Sequence, residues 1–296
     1  MAMIEIVLTI LFAGFGLLFP WAFALILRLR TPGEVVFPGR IGWRPVVHSM
    51  LAYVLAFNLT FFIQELFLVL PKAMVPGLRP ILYHNNHNWY GEAEIAELFQ
   101  GTGALAILLS GLLFGWIVAR QQRPALFPLW MAFNGLFQSL PQFIVGAIVP
   151  ENDMGRAYDY LGIGPVGEAI MALAALAAMP FAGLWLGRRF LATAWEAAPV
   201  ASARTRFGYL LRMAGLAALA ALPIIILYRV PRELIEVLSA PVLVPLFGYG
   251  WMQLAAFRSG NIKGQGQPPA GLKPLALAAI ALLIFFQLVL RPGISF

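Results

Sequence analysis

The chain has no cysteine, which removes disulfides, thiolate metal ligands, iron–sulfur clusters and cysteine nucleophiles from its chemistry. Charge is nearly as scarce: 11% of residues are Asp, Glu, Lys or Arg, against 61% hydrophobic. A soluble domain carries about a quarter charged residues, so a soluble fold is excluded. Only three histidines are present, too few for a multi-histidine di-iron centre and poorly placed for a bis-histidine haem. An aspartate-rich prenyltransferase pair and a nucleophile elbow are also missing.

The apolar residues come in blocks of about twenty or more, the length that carries a helix across roughly 30 Å of hydrocarbon. Barrel strands would alternate in polarity over about ten residues, and the stretch from Ala169 to Trp185 does not alternate. The expected fold is all-α, a polytopic transmembrane bundle of about eight spans forming a single domain over residues 1–296. The spans fall near 3–27, 45–70, 98–119, 125–149, 164–187, 207–228, 234–257 and 273–290. The first block is longer than a signal-peptide core and begins with Glu5 rather than a basic stretch, so it is expected to be retained.

Net charge is +7, but the basic residues gather at span ends instead of forming a patch interleaved with aromatics, so nucleic acid is not an expected partner. Placing Arg28, Arg30, Arg40, Arg44, Arg120, Arg123, Arg188, Arg189, Arg204, Arg206, Arg258, Lys263 and Lys273 inside satisfies the positive-inside rule. Both termini are then outer, on the periplasmic side of a bacterial inner membrane. The outer loops are 71–97 and 150–163. Residues 188–206, with Trp195, read as an inner surface segment, and 258–272 as a flexible inner loop.

Span two carries Asn58, Gln64 and Glu65, with Glu65 about 9 Å inside Pro71 at 1.5 Å per residue. A carboxylate at that depth needs a partner, and Lys72 is the nearest in sequence. On span four, Asn134, Gln138 and Gln142 recur every four residues and share a face. Facing span two, with Gln100, they would line an outward-opening polar cleft; facing any other helix they would be interhelical hydrogen-bonding groups. Gly111-xxx-Gly115 and Gly183-xxx-Gly187 read as close-packing surfaces.

The most polar stretch, Tyr83 to Gly91, holds His84 and His87. Three residues apart, on a helical turn, both imidazoles can face one divalent cation, with Glu65 or Asp153 completing the shell. The alternative is an ordered loop whose Asn and His side chains bond backbone groups. Asp153 likewise reads as metal ligand or general base, or as a solvated partner of Arg156.

The order of segments across residues 58–162 resembles the intramembrane metalloproteases of the site-2 protease type. Gln64 to Leu68 stands where that family has HExxH, Gln100 to Ala106 where it has a Gly-rich helix, and Pro150 to Gly155 where it has an Asp-Gly segment. Both motif histidines are missing, so the resemblance does not carry peptidase chemistry to Glu65. The leading expectation is a non-catalytic or degenerate-enzyme membrane subunit whose outer cleft binds a protein partner, lipid or ion. A metal-dependent hydrolase using Glu65, His84, His87 and Asp153 is the competing expectation, with a transporter third.

Overall fold

The computed structural model describes residues 2–31, 42–195, 200–260, 262, 264, 266 and 271–296. Arg40 and Lys263, both assigned to inner connections, lie outside the described residues, as do parts of the 188–206 and 258–272 segments. Nine helices and three short strands organise the described residues: α1 Met3–Arg30, α2 Trp43–Ala73, β1 Arg79–Leu82, β2 His87–Tyr90, α3 Ile95–Arg120, α4 Leu126–Gly146, α5 Asp153–Tyr160, α6 Pro165–Ala192, α7 Ala203–Arg229, α8 Leu234–Arg258, α9 Leu272–Leu290 and β3 Ile294–Ser295.

Seven of these helices, α1, α2, α3, α6, α7, α8 and α9, are long and apolar enough to cross a membrane. The expected span at 125–149 forms α4, whose 21 residues give about 30 Å of helix, but Asn134, Gln138 and Gln142 lower its hydropathy. Its position explains how it holds them. Every residue from Leu129 to Leu140 is buried, because α2, α3, α6 and α8 surround it. A central helix presents no face to lipid, so amides on it need only find partners within the protein. The periphery is the reverse: only 17% of the apolar stretch of α1 and 11% of that of α9 is buried, against 56% for α2.

Two glycines set the closest approach. A Cβ on Gly135 would lie 2.5 Å from the Gly111 Cα, and one on Gly111 would lie 2.8 Å from the Gly135 carbonyl carbon. The backbones of α3 and α4 therefore touch there. Gly183 and Gly187 do the same for α6 against Trp251 and Met252 of α8. Gly115 differs, with only the Trp185 ring at ordinary contact distance.

At one end of the bundle the 71–97 connection carries structure of its own. β1 pairs antiparallel with β2, Leu82 opposite His87 and Arg79 opposite Tyr90, and β3 adds to the other edge of β1. The end of the chain is thereby tied to this hairpin, with the Phe296 N–H donating to the Pro80 carbonyl at 3.0 Å. The 150–163 connection likewise contains α5, capped by Asn152, whose side-chain oxygen accepts from the Gly155 N–H at 2.9 Å.

Candidate functional site

Glu65 projects from α2 toward the hairpin, where its partner is His87 and not Lys72. Nδ1 of His87 lies 2.9 Å from Glu65 Oε2, and Nε2 lies 2.9 Å from Gln100 Oε1. Both side chains of the ion pair are under a tenth exposed. Two oxygen acceptors engage the two ring nitrogens, the pattern of an imidazolium donating twice; a turned Gln100 amide would instead serve the neutral ring. Strand geometry makes the contact. In β2, alternate residues face one side, so His87 and Trp89 point inward while Asn88 and Tyr90 point out.

Trp89 organises the charges around this pair. The Lys72 ammonium sits 4.4 Å from its ring centroid and the Arg156 guanidinium 5.4 Å. Lys72 is fully buried and donates to the Leu68 carbonyl at 2.9 Å. Arg156 binds Glu97 with two parallel hydrogen bonds, from Nε at 2.5 Å and Nη2 at 2.8 Å. The expected Asp153–Arg156 pair is thus replaced by a bidentate one that a loop reading could not find, since Glu97 is far away in sequence. Asp153 interacts electrostatically with His87, Glu65, Lys72 and Arg156; burial pushes its carboxyl above the ordinary range, with Glu65 adding to the rise and His87, Lys72 and Arg156 opposing it.

His84 is not brought to this cluster. It lies in the turn between β1 and β2, closed by the Tyr83 N–H donating to the Asn86 carbonyl at 2.8 Å, so the expectation of two imidazoles on one helical turn fails. Its ring is buried, and among the described residues its one hydrogen-bonding neighbour is the Arg229 backbone. Burial holds its pKa below the ordinary histidine value, with the Arg232, Arg291 and Arg229 charges adding to the fall and a hydrogen bond with the Arg229 backbone opposing it. Such a cationic setting repels a metal ion. Among the described residues no group of three or more His, Cys, Asp or Glu side chains is arranged to hold a metal.

The amides form a second, separate constellation. Gln142 Nε2 donates to Gln64 Oε1 at 3.0 Å, bridging α4 to α2, and also to the Gln138 carbonyl at 2.8 Å. Gln138 Nε2 reaches Asn134 Oδ1 at 3.3 Å, and Asn134 donates to the Trp130 carbonyl. The line continues through Trp130 Nε1 to Ser49 Oγ at 3.0 Å, and from Ser49 to the Met213 carbonyl. Among the described residues Asn58 bonds back to Val54 on its own helix, and Ser139 to Gly135 and Leu136.

Gln64, Gln138 and Gln142 line a cavity of about 280 Å³, walled otherwise by apolar side chains such as Phe12, Phe61, Phe137, Leu243 and Phe247, with Ser239. Asn58, Gln100 and Asn134 do not line it, and neither does Glu65. Adjacent residues on α2 therefore serve different faces: Gln64 the cavity, Glu65 the hairpin. One atom stands out. Gln138 Oε1 is buried with no hydrogen-bond partner among the described residues and exposes no surface to the chamber that the rest of its side chain lines.

A residue that sequence reading passed over completes this end of the bundle. Arg229, at the end of α7, is 3% exposed; its Nε and Nη2 donate to the Glu236 carbonyl and its guanidinium lies 4.2 Å from the Phe61 ring centroid. Family models, curated proteins and solved structures contain no match to this chain.

Proposed function

We propose that this chain is a non-catalytic or degenerate-enzyme membrane subunit with about eight spans and both termini outside, whose outer-side cleft binds a membrane lipid. The observation that carries the reading is the chamber of about 280 Å³ whose wall is apolar except for Ser239 and the amides Gln64, Gln138 and Gln142. Gln138 Oε1, buried without a donor among the described residues, is unfavourable by about 1–3 kcal/mol, and a rotation of its side chain would present it to a ligand hydroxyl or amide N–H. The apolar remainder of the lining suits a hydrocarbon body. The pocket contains no cation or carboxylate, so the ligand's bound portion is neutral.

A non-catalytic role is supported by the state of His87. Both of its ring nitrogens are engaged, which leaves no free nitrogen for general-base work or for coordinating a metal. The Glu65–His87–Gln100 set instead fastens the hairpin to α2 and α3, closing the outer end of the bundle. Sequence order alone carries the resemblance to intramembrane metalloproteases, and the degenerate-enzyme reading rests on the absence of the motif histidines.

Lipid extraction from protein purified in mild detergent tests the proposal. A neutral, donor-bearing lipid is expected to be enriched over the surrounding membrane and lost from Gln138→Leu, a substitution that preserves volume and removes the acceptor. Equal lipid profiles for the wild type and Gln138→Leu would overturn it.

A further inference from the structure

A pocket of about 500 Å³ opens at the end of the bundle opposite the hairpin, where α2 begins, α3 hands over to α4, α6 ends, and α7 and α9 start. Much of its wall is apolar, with Leu126, Phe127, Met213 and Leu275 among the lining side chains. Beside Trp195, four polar or charged side chains also line it: His48, Arg123, Thr193 and Tyr209. Two of these are spent on each other, since the Thr193 and Tyr209 hydroxyls lie 2.8 Å apart and Thr193 also donates to the Phe190 carbonyl. Arg123 is exposed and, among the described residues, has no hydrogen bond, ion pair or ring contact. Other cations at this end are occupied: Arg28, Arg120, Arg189 and Arg258 each lie over an aromatic ring, and Arg206 donates to the Val200 and Ala256 carbonyls. His48 is half-buried and also unpartnered among the described residues. Its Nδ1 has no exposed surface, so Nε2 is the ring nitrogen left to the pocket.

We infer that this pocket binds the phosphodiester of an anionic phospholipid, held by the Arg123 guanidinium and the His48 Nε2–H, with an acyl chain along the apolar wall. A neutral imidazole carries one proton, and a buried N–H without an acceptor is the rarer and less favourable orphan. The proton therefore belongs on Nε2, which makes that atom a donor toward the pocket. Guanidinium and imidazole N–H groups both suit phosphate oxygens, and among the described residues no carboxylate lines the pocket to compete for them. The surrounding charge has the same sign. By sequence, the thirteen basic residues assigned to the inner side stand against two carboxylates there, Glu34 and Glu196, and such a field draws anions to this face. The apolar lining selects a lipid over free phosphate, because only a hydrocarbon chain covers Phe127, Met213 and Leu275. Trp195 supplies the aromatic group usual at headgroup level. The amide chamber has no charged lining, and this site does not rest on the reading given for it.

The test titrates the full chain in a neutral detergent with dioleoylphosphatidylglycerol and counts retained lipid by native mass spectrometry. Saturable retention is expected for the wild type. Arg123→Gln, at an exposed position that the fold does not need, is expected to weaken the apparent affinity about tenfold, in line with loss of a hydrogen bond to a charged group. His48→Phe, which keeps a ring, is expected to weaken it about fivefold, as for one neutral donor. Arg120→Gln removes a cation that stacks on Trp116 outside the pocket and is expected to leave retention unchanged, as is Gln138→Leu in the amide chamber. Circular dichroism confirms that each variant is folded. An unchanged affinity in Arg123→Gln, an equal loss in Arg120→Gln, or displacement of the probe by dioleoylglycerol at equal concentration would each overturn the assignment. So would displacement by inorganic phosphate beyond that caused by chloride at the same ionic strength, which would make the ligand a free anion and not a lipid.

Discussion

The His87 imidazole and the Glu65 carboxylate meet at 2.9 Å, joining a strand outside the apolar spans to a residue more than one turn inside one. Because both side chains are almost fully buried, removing one leaves the other without its partner. His87→Ala is expected to destabilise the protein by roughly 3 kcal/mol, and Glu65→Gln by less, since the amide can still accept from the ring. The double variant Glu65→Leu/His87→Leu should recover much of the loss. Thermal unfolding in detergent across this cycle checks the coupling; additive effects would mean that the pair does not fasten the hairpin.

Packing at the α3–α4 crossing gives a contrast within one motif. Gly135→Ala places a methyl 2.5–2.6 Å from Gly111 backbone atoms and is expected to destabilise by about 2 kcal/mol, the cost of overpacking a site that cannot yield. Gly115→Ala meets only the Trp185 ring at 3.8 Å and is expected to be neutral or slightly stabilising, since alanine is the better helix former. Melting temperatures of the two variants separate a real close contact from a mere spacing of small residues.

Two titrations outside the spans should act in opposite directions. His84 has its folded pKa lowered by burial and nearby arginines, while the unfolded chain titrates near 6.5. Below that value the unfolded state takes up a proton that the folded state refuses, so stability is full above about 6.5 and is lost as pH falls through that range toward the lower folded value. His84→Leu should flatten this slope. Asp153 has its folded pKa raised by burial, so above about 3.9 the folded state holds the extra proton and stability declines as pH rises toward the raised value. Asp153→Asn should remove that decline. Melting curves taken at closely spaced pH values distinguish the two.

The sequence made the spans legible because hydrocarbon imposes a length and a composition that few other environments share. It also marked Gln64, Gln138 and Gln142, since amides on apolar helices need partners whichever helix they face. The pairing at the hairpin was out of reach for a different reason. His87, Gln100 and Glu65 are joined by a two-stranded turn whose β-pairing leaves little trace in four-residue strands, and Arg156 finds Glu97 only after α5 folds against the short turn at Ile95–Leu98. Sequence neighbours such as Lys72 for Glu65, or Arg156 for Asp153, were the nearest partners along the chain and not the nearest in space. The expectation of one cleft gathering Glu65 and all the amides gave way to two faces of α2, because adjacent helical residues point about 100° apart.

Filling the amide chamber should also change stability. Ser239→Phe would project a ring into the cavity bounded by Gln64, Gln138 and Gln142. It is expected to lower lipid retention while raising the melting temperature of delipidated protein, by replacing an absent ligand with side-chain packing. Paired lipid analysis and melting curves read both effects; retention unchanged with the ring in place would mean that the lipid sits elsewhere.

The most direct measurement is an electron cryo-microscopy map of the protein extracted with its native lipids. An elongated density in the chamber, its polar end within hydrogen-bonding distance of Gln138 Oε1, is the expected result. A chamber filled by Phe61 or Phe247, or an ordered lipid bound only on the outer surface of α1 and α9, would contradict the account.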